Sequence, residues 1–205
     1  MVSIKTYSTE EILPKDFKGQ HYRLTNNWNE LIPISLYEDK PIKYLEIGTF
    51  LGANIMSCTK TYGAHPKSLL YGVDPYGEYE DYDEYKGEIT NIYETMKQNL
   101  NLLSAEDKKK ITIFREYSYE KVPKFMNDYF DIIYVDGNHL PEYVLEDGAL
   151  SFRKLKVGGY MIFDDYGWNG DDCTKRGIDA FVHGFRDRIE ILGIKETQVF
   201  LKRIK

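Results

Sequence analysis

Short apolar runs recur along the chain at Ile42–Ile47, Leu69–Val73, Ile111–Phe114, Phe130–Val135 and Tyr160–Phe163. Each is followed within two residues by a glycine or a carboxylate, the pattern of a strand buried on both faces and then stopped. Between them the period changes: Ile89, Ile92, Tyr93, Met96, Leu100 and Leu103 keep helical spacing, and so do Leu145, Gly148, Ala149, Phe152 and Leu155. Strands alternating with helices predict an α/β fold, a parallel sheet covered on both faces through right-handed crossovers. The tail has another rhythm. A helical stretch from about Lys175 to Asp187 precedes Ile189–Leu192, a turn at Gly193 and Gln198–Ile204, which reads as a terminal hairpin. Ahead of the first strand, a polar start and a helix over Trp28–Tyr37 suggest a segment, residues 1–40, that caps a core over 41–205. No repeat or low-complexity linker divides the chain, so one domain over 1–205 is expected.

Composition narrows the function classes. At 205 residues, with 42% hydrophobic and 29% charged, the chain buries a core and is neither disordered nor a coiled coil. Lys+Arg 27 against Asp+Glu 33 leaves a net charge of -6, with no global positive field to draw a polyphosphate, so nucleic acid is not an expected partner. No run reaches the roughly 18 apolar residues of a membrane span, and the start has no signal-peptide core; no membrane partner and a cytoplasmic location are expected. Cys58 and Cys173 form no disulfide or zinc pattern and read as reduced thiols. Tyr 18 against Phe 10 is the unusual count, and part of the surplus, Tyr76, Tyr79, Tyr82 and Tyr85, recurs every three residues among Glu78, Glu80, Asp81, Asp83 and Glu84. A lid over 75–88 that packs tyrosine faces on a sugar ring is one reading; a solvated loop or a subunit contact in a homo-oligomer are the others.

In open parallel sheets, ligands sit beyond the carboxyl ends of the strands. The first strand ends in Glu46-Ile47-Gly48-Thr49-Phe50-Leu51-Gly52, a glycine-flanked turn that lets backbone approach a ligand, and the second in Asp74, placed to accept from ribose hydroxyls. The dinucleotide pattern GxGxxG is absent, and the same residues could merely pack a helix on a strand and cap a turn. The fourth strand ends in Asp136-Gly137-Asn138-His139 and the fifth in Asp164-Asp165-Tyr166. Three carboxylates on one sheet edge raise one another's pKa unless a cation neutralises them, and hard oxygen donors suit Mg²⁺, Mn²⁺ or Ca²⁺ rather than zinc. An Asx turn at Asp164-Asp165 and a helix cap at Asp136 are the structural alternative. His139, three residues beyond Asp136, is a candidate general base.

These motifs, above all Tyr134-Val-Asp136-Gly-Asn-His139 through Gly158-Gly159-Tyr-Met-Ile-Phe-Asp164-Asp165-Tyr166, resemble the class I S-adenosylmethionine (SAM)-dependent methyltransferases, in their metal-dependent small-molecule O-methyltransferase branch. That branch includes catechol-type enzymes and the sugar and macrolide-sugar enzymes of natural-product pathways, and the likeness runs from about Tyr44 to Ile204. The resemblance implies a Rossmann-like sandwich with a seven-stranded sheet of order 3-2-1-4-5-7-6, the last strand antiparallel. By the same resemblance Glu46, Gly48, Thr49 and Gly52 lie along the methionine half of SAM, Asp74 holds the ribose, and Tyr117-Ser118 contact the adenine. Asp136 faces both cofactor and metal, Asp136, Asp164 and Asp165 match the ligands of Mg²⁺ or Mn²⁺, and His139 stands at the general base. The sugar-modifying members look most similar, since catechol-type enzymes usually carry lysine there. Phe50 departs from the pattern, standing where many class I enzymes have glycine.

The implied activity is methyl transfer to a hydroxyl of a sugar, glycoside or similar small molecule, aided by positioning, metal coordination and proton removal. A catechol-type enzyme, an aminopropyl- or N-methyltransferase, and a SAM-binding subunit without catalysis are the alternatives.

Overall fold

The apolar runs become strands whose side chains alternate between two cores. In this computed structural model, which describes residues 6–77, 89–168 and 172–205, they are β1 (Lys43–Ile47), β2 (Leu69–Val73), β3 (Ile111–Phe114), β4 (Phe130–Val135) and β5 (Leu155–Phe163). With β6 (Ile189–Lys195) and β7 (Gln198–Arg203) they form one sheet of order β3-β2-β1-β4-β5-β7-β6. The first five strands run parallel, and β7 pairs antiparallel with both β5 and β6. The expected α/β architecture and strand order are both observed. Leu45, Ile47, Ile133 and Val135 face one core; Tyr44, Ile132 and Tyr134, one residue out of phase, face the other.

The first core lies under α5 (Ser118–Lys121), α6 (Pro141–Phe152) and α7 (Cys173–Phe185), where Phe152, Phe163 and Phe181 interlock. The opposite face is covered by α1 (Thr9–Ile12), α2 (Ala53–Cys58) and α3 (Ile89–Leu100) with the segment preceding β1, while α4 (Ala105–Lys108) leads into β3. That segment belongs to the core. Trp28 is fully buried, with the rings of Tyr44, Tyr62 and Tyr134 at 6.3, 5.7 and 5.2 Å, and its indole N–H donates to Gln198 Oε1 at 3.1 Å. Burying such a ring removes roughly 150–250 Å² from water, worth several kcal/mol at about 25 cal/mol per Å². Among the described residues no helix is long and apolar enough to cross a membrane.

Four expectations need correction. The helix over Trp28–Tyr37 is two 3-10 turns, Thr25–Glu30 and Ile34–Leu36, because Pro33 interrupts the pattern without an N–H and Asn29 Oδ1 takes the amide of Ile34 at 2.8 Å. Leu155, read as the end of a helix, begins β5, since α6 stops at Phe152. The terminal hairpin turns at Glu196-Thr197, with φ of 47° and 65°, and Gly193 lies inside β6 opposite Phe200, next to a bulge at Leu192. Tyr76, grouped with the stacking tyrosines, is 2% exposed: its ring packs on Tyr93 at 4.9 Å and its hydroxyl donates to the Phe50 carbonyl at 3.1 Å. Tyr79, Tyr82, Tyr85 and their acidic neighbours, and with them most of the expected lid, lie outside the described residues.

Candidate active site

Backbone bonds that outlast the strands hold the acidic residues at the carboxyl edge of the sheet. The Gly48 amide donates to Val73, Asp74 to Phe114, Asp136 to Ile47 and Asp164 to Val135, all between 2.9 and 3.1 Å. Above this edge opens a cavity of about 700 Å³. Of the sequence candidates, Glu46, Gly48, Thr49, Asp74, Tyr117, Ser118, Asp136, His139, Asp164 and Asp165 all line it. Gly52 does not: it caps the start of α2 with its Cα turned toward Met96 and Leu100.

One wall fits the cofactor. At Gly48, φ is +84° and a Cβ would lie 1.8 Å from the Asp136 carbonyl oxygen, so only glycine lets the first and fourth strand ends close on each other. Phe50 also takes a left-handed φ, 45°, which for a side-chain-bearing residue costs about 1–2 kcal/mol and explains why glycine suits this position. Asp74 holds that turn, accepting from the amides of Phe50 and Tyr76, each at 2.9 Å, and is itself 2% exposed. Two buried polar atoms here, Thr49 Oγ1 and Asn54 Oδ1, have no hydrogen-bond partner. Atoms of that kind, beside an acidic turn, fit a polar ligand such as the amino-acid end of SAM. Glu46 is 1% exposed; burial, with Asp74 adding, pushes its carboxyl up to about 8 despite the Tyr44 hydroxyl donating to Oε2 at 2.6 Å. Asp147, on α6 and absent from the sequence reading, also lines the cavity, and burial pushes it up to about 7 against a hydrogen bond from Ser118.

The other wall carries the carboxylate cluster. Ligand atoms of Asp136, His139 and Asp165 lie within 4.8 Å of one another, a spacing that fits a divalent cation held mainly by oxygen. Asp164 is engaged differently: its Oδ2 accepts from the Tyr134 hydroxyl at 2.5 Å, and its Oδ1 accepts from the Asp165 amide at 2.8 Å. Tyr134 Oη also sits 3.2 Å from Asp136 Oδ2, so one phenol stands between two carboxylates. Burial, then the fields of Asp164, Asp165 and Glu46, raise the Asp136 carboxyl well above the usual range, and burial with Asp165 raises Asp164. Asp165 goes the other way. Burial alone would raise it, but His139, with Nε2 at 3.1 Å from Oδ2, and Arg23 outweigh that.

Arg23 is a second residue that the sequence did not disclose. Its guanidinium bridges Asp164 Oδ1 at 3.1 Å and Asp165 Oδ1 at 2.8 Å, from a segment 142 residues away in the chain. No local spacing signals such a contact. The cavity rim adds a second feature: Tyr22, Phe50, Tyr117, Tyr119, Tyr143 and Trp168 are all the exposed Phe, Tyr and Trp side chains among the described residues, and every one lines this cavity.

A family model described as a methyltransferase domain matches residues 45–166, the stretch from β1 through the carboxylate cluster. An uncharacterised protein of Acanthamoeba polyphaga mimivirus, R132, is 27% identical over 135 residues, 63% of this chain and 54% of its own length; the match thus spans about half of that relative. Among solved structures, the O-methyltransferase TomG from Streptomyces achromogenes, in complex with SAM, superposes with a TM-score of 0.62 at 14% identity, over 89% of this chain and 82% of its own. MycE, a methyltransferase of the mycinamycin biosynthetic pathway in complex with Mg and SAH, gives 0.59 at 17% identity, over 92% of this chain and 51% of its own. At these identities the two structures attest the fold.

Proposed function

The chain belongs to the methyltransferase-domain family; from that premise we propose that it is a SAM-dependent enzyme that methylates a hydroxyl of a sugar, glycoside or similar small molecule at a divalent-cation site, with His139 as general base. One observation carries this reading: the cluster of Asp136, His139 and Asp165 shares a cavity with Thr49 and Asn54, whose buried Oγ1 and Oδ1 have no hydrogen-bond partner. Cofactor and acceptor would therefore meet in one enclosure, where positioning supplies much of the rate.

SAM would supply a methyl group already activated on a sulfonium, and a cation such as Mg²⁺ or Mn²⁺, which Asp136 and Asp165 would hold, would supply charge that eases loss of the acceptor's proton. The rest falls to the chain's own residues. Glu46, Gly48 and Thr49 would bind the methionine half, Asp74 the ribose, and Tyr117 and Ser118 the adenine side. Asp165 orients His139 through Nε2, and the imidazole would take the acceptor's proton. The aromatic rim supports acceptor recognition, since tyrosine and tryptophan faces pack on a sugar ring while their polar edges bond its hydroxyls. Seven acidic side chains line the cavity, those of Glu46, Asp74, Asp136, Glu146, Asp147, Asp164 and Asp165, and those of them that are ionised would repel a phosphate-bearing acceptor. The same flat rim would suit an aromatic ring, which makes a catechol the second reading.

Calorimetry with S-adenosylhomocysteine, followed by transfer assays on neutral glycosides and catechols with and without EDTA, tests this. The expected result is micromolar binding and transfer to glycosides that chelation removes and Mg²⁺ or Mn²⁺ restores. Full activity in excess chelator would refute the cation; transfer confined to catechols would favour the second reading.

A further inference from the structure

We propose that Arg23 is the resident counter-ion of the carboxylate cluster and that a divalent cation enters by displacing it, so that this side chain sets the cation affinity of the site. The inference rests on the cation reading above. The four oxygens of Asp164 and Asp165 are all engaged: the two Oδ1 atoms by Arg23, Asp165 Oδ2 by His139 and Asp164 Oδ2 by Tyr134. Of these partners only the guanidinium is a permanent cation, and it cannot titrate away at any pH the protein survives. The cation site described above uses Asp165, whose Oδ1 Arg23 already holds, so a doubly charged ion there meets a guanidinium on the same carboxylate and the two repel each other. One has to leave.

The local structure lets Arg23 be the one that moves. The neighbouring Leu24 and Thr25 are buried and stay fixed, whereas Gln20, His21 and Tyr22 are exposed along the cavity mouth. Beyond the carboxylates, the guanidinium is held by the β6–β7 turn, through Thr197 Oγ1 and, at 3.4 Å, the Glu196 carbonyl. A swing of the side chain breaks these bonds and leaves Trp28 and the core beneath undisturbed. Arg23 is thus a positioning residue. It holds the two carboxylates together when the cation is away and competes with it when it arrives.

Titration of Mn²⁺ into the full chain, followed by electron paramagnetic resonance of the free ion, reads this without turnover. Arg23→Gln should lower the Mn²⁺ dissociation constant by about tenfold or more, the scale of losing a charged hydrogen-bonded competitor. Thr197→Ala, which frees one anchor of the guanidinium and touches no carboxylate, should lower it by a smaller factor, and carries the test should Arg23→Gln fail to fold. A merely structural Arg23 predicts the reverse, weaker Mn²⁺ binding as the carboxylates splay. A constant that is unchanged or higher in the folded variants overturns the role of Arg23 while the cation site stands. No Mn²⁺ binding by wild type or either variant overturns the cation reading and this inference together.

Discussion

Replacing Glu46 by Gln should change how stability depends on pH, and the size of the change follows from the burial of this side chain. Glu46 is 1% exposed beside Asp74, which together raise its carboxyl from 4.5 to about 8. Between those two values the folded protein keeps a proton that the unfolded chain releases, so this group makes stability fall as pH rises through the interval. About 3.5 units, at about 1.4 kcal/mol each, set a ceiling on the order of 5 kcal/mol. Local opening and coupling to Asp74 reduce that, and about 2 kcal/mol is a fair expectation at pH 8.5. Gln cannot ionise, yet its carbonyl can still accept from the Tyr44 hydroxyl, so at pH 5 the variant and the wild type should agree within about 1 kcal/mol. Urea unfolding of the ligand-free protein at pH 5, 6.5 and 8.5 gives the comparison. Asp147 titrates in the same window, so the wild-type slope is not Glu46's alone; the divergence between the two proteins isolates it. Parallel curves from pH 5 to 8.5 would mean that Glu46 is ionised throughout and that the closed environment assigned to it is wrong.

His139→Ala should lower kcat by about 10²–10⁴, the usual contribution of a positioned general base, while S-adenosylhomocysteine affinity by calorimetry stays near its original value; undiminished turnover would assign the proton to solvent or another group. Gly48→Ala should cost at least about 3 kcal/mol or prevent folding, because a Cβ there meets the Asp136 carbonyl and the backbone sits at a positive φ. Thermal unfolding decides it, and a melting temperature within a few degrees of wild type would show that the two strand ends can part cheaply.

The sheet was legible because its signal is local and redundant: each of five apolar runs is nearly continuous, and the carboxylates that follow them are held by the same backbone ladder. Where several weak signals compete, local reading fails. Trp28–Tyr37 carries helical spacing, but Pro33 and the Asn29 side chain act on one peptide unit each and split it into two 3-10 turns. Gly193 and Thr197 both adopt positive φ, and glycine is the stronger turn residue by composition, yet the pairing of Lys195 with Gln198 puts the reversal at Glu196-Thr197. Tyr76 shares its spacing with Tyr79 and Tyr82, but Asp74 bonds its amide and turns its ring inward, a consequence of a carboxylate two residues upstream rather than of the period.

The candidate site divides along the same line. That Asp136, Asp164 and Asp165 end adjacent strands follows from the β4–β5 pairing, and so was readable; which oxygen faces which partner was not. Tyr134 alternates onto the face of Asp136 because the two are two residues apart, while its hydroxyl is shared with Asp164 because β4 and β5 are neighbours. Three acids that look equivalent along the chain thereby become unequal: Asp164 is tied to a phenol, Asp165 is lowered by an imidazole and a guanidinium, and Asp136 is raised by burial and by its acidic neighbours. Arg23 completes the asymmetry. It reaches the pair from an N-terminal segment held across the sheet face by Trp28, buried against Tyr44, Tyr62 and Tyr134, and by Thr25, bonded to Ser57 and Thr61. The charge balance of the site therefore depends on an N-terminal segment more than a hundred residues from the acids it serves, and the carboxylates cannot be assigned their separate roles until that segment is in place.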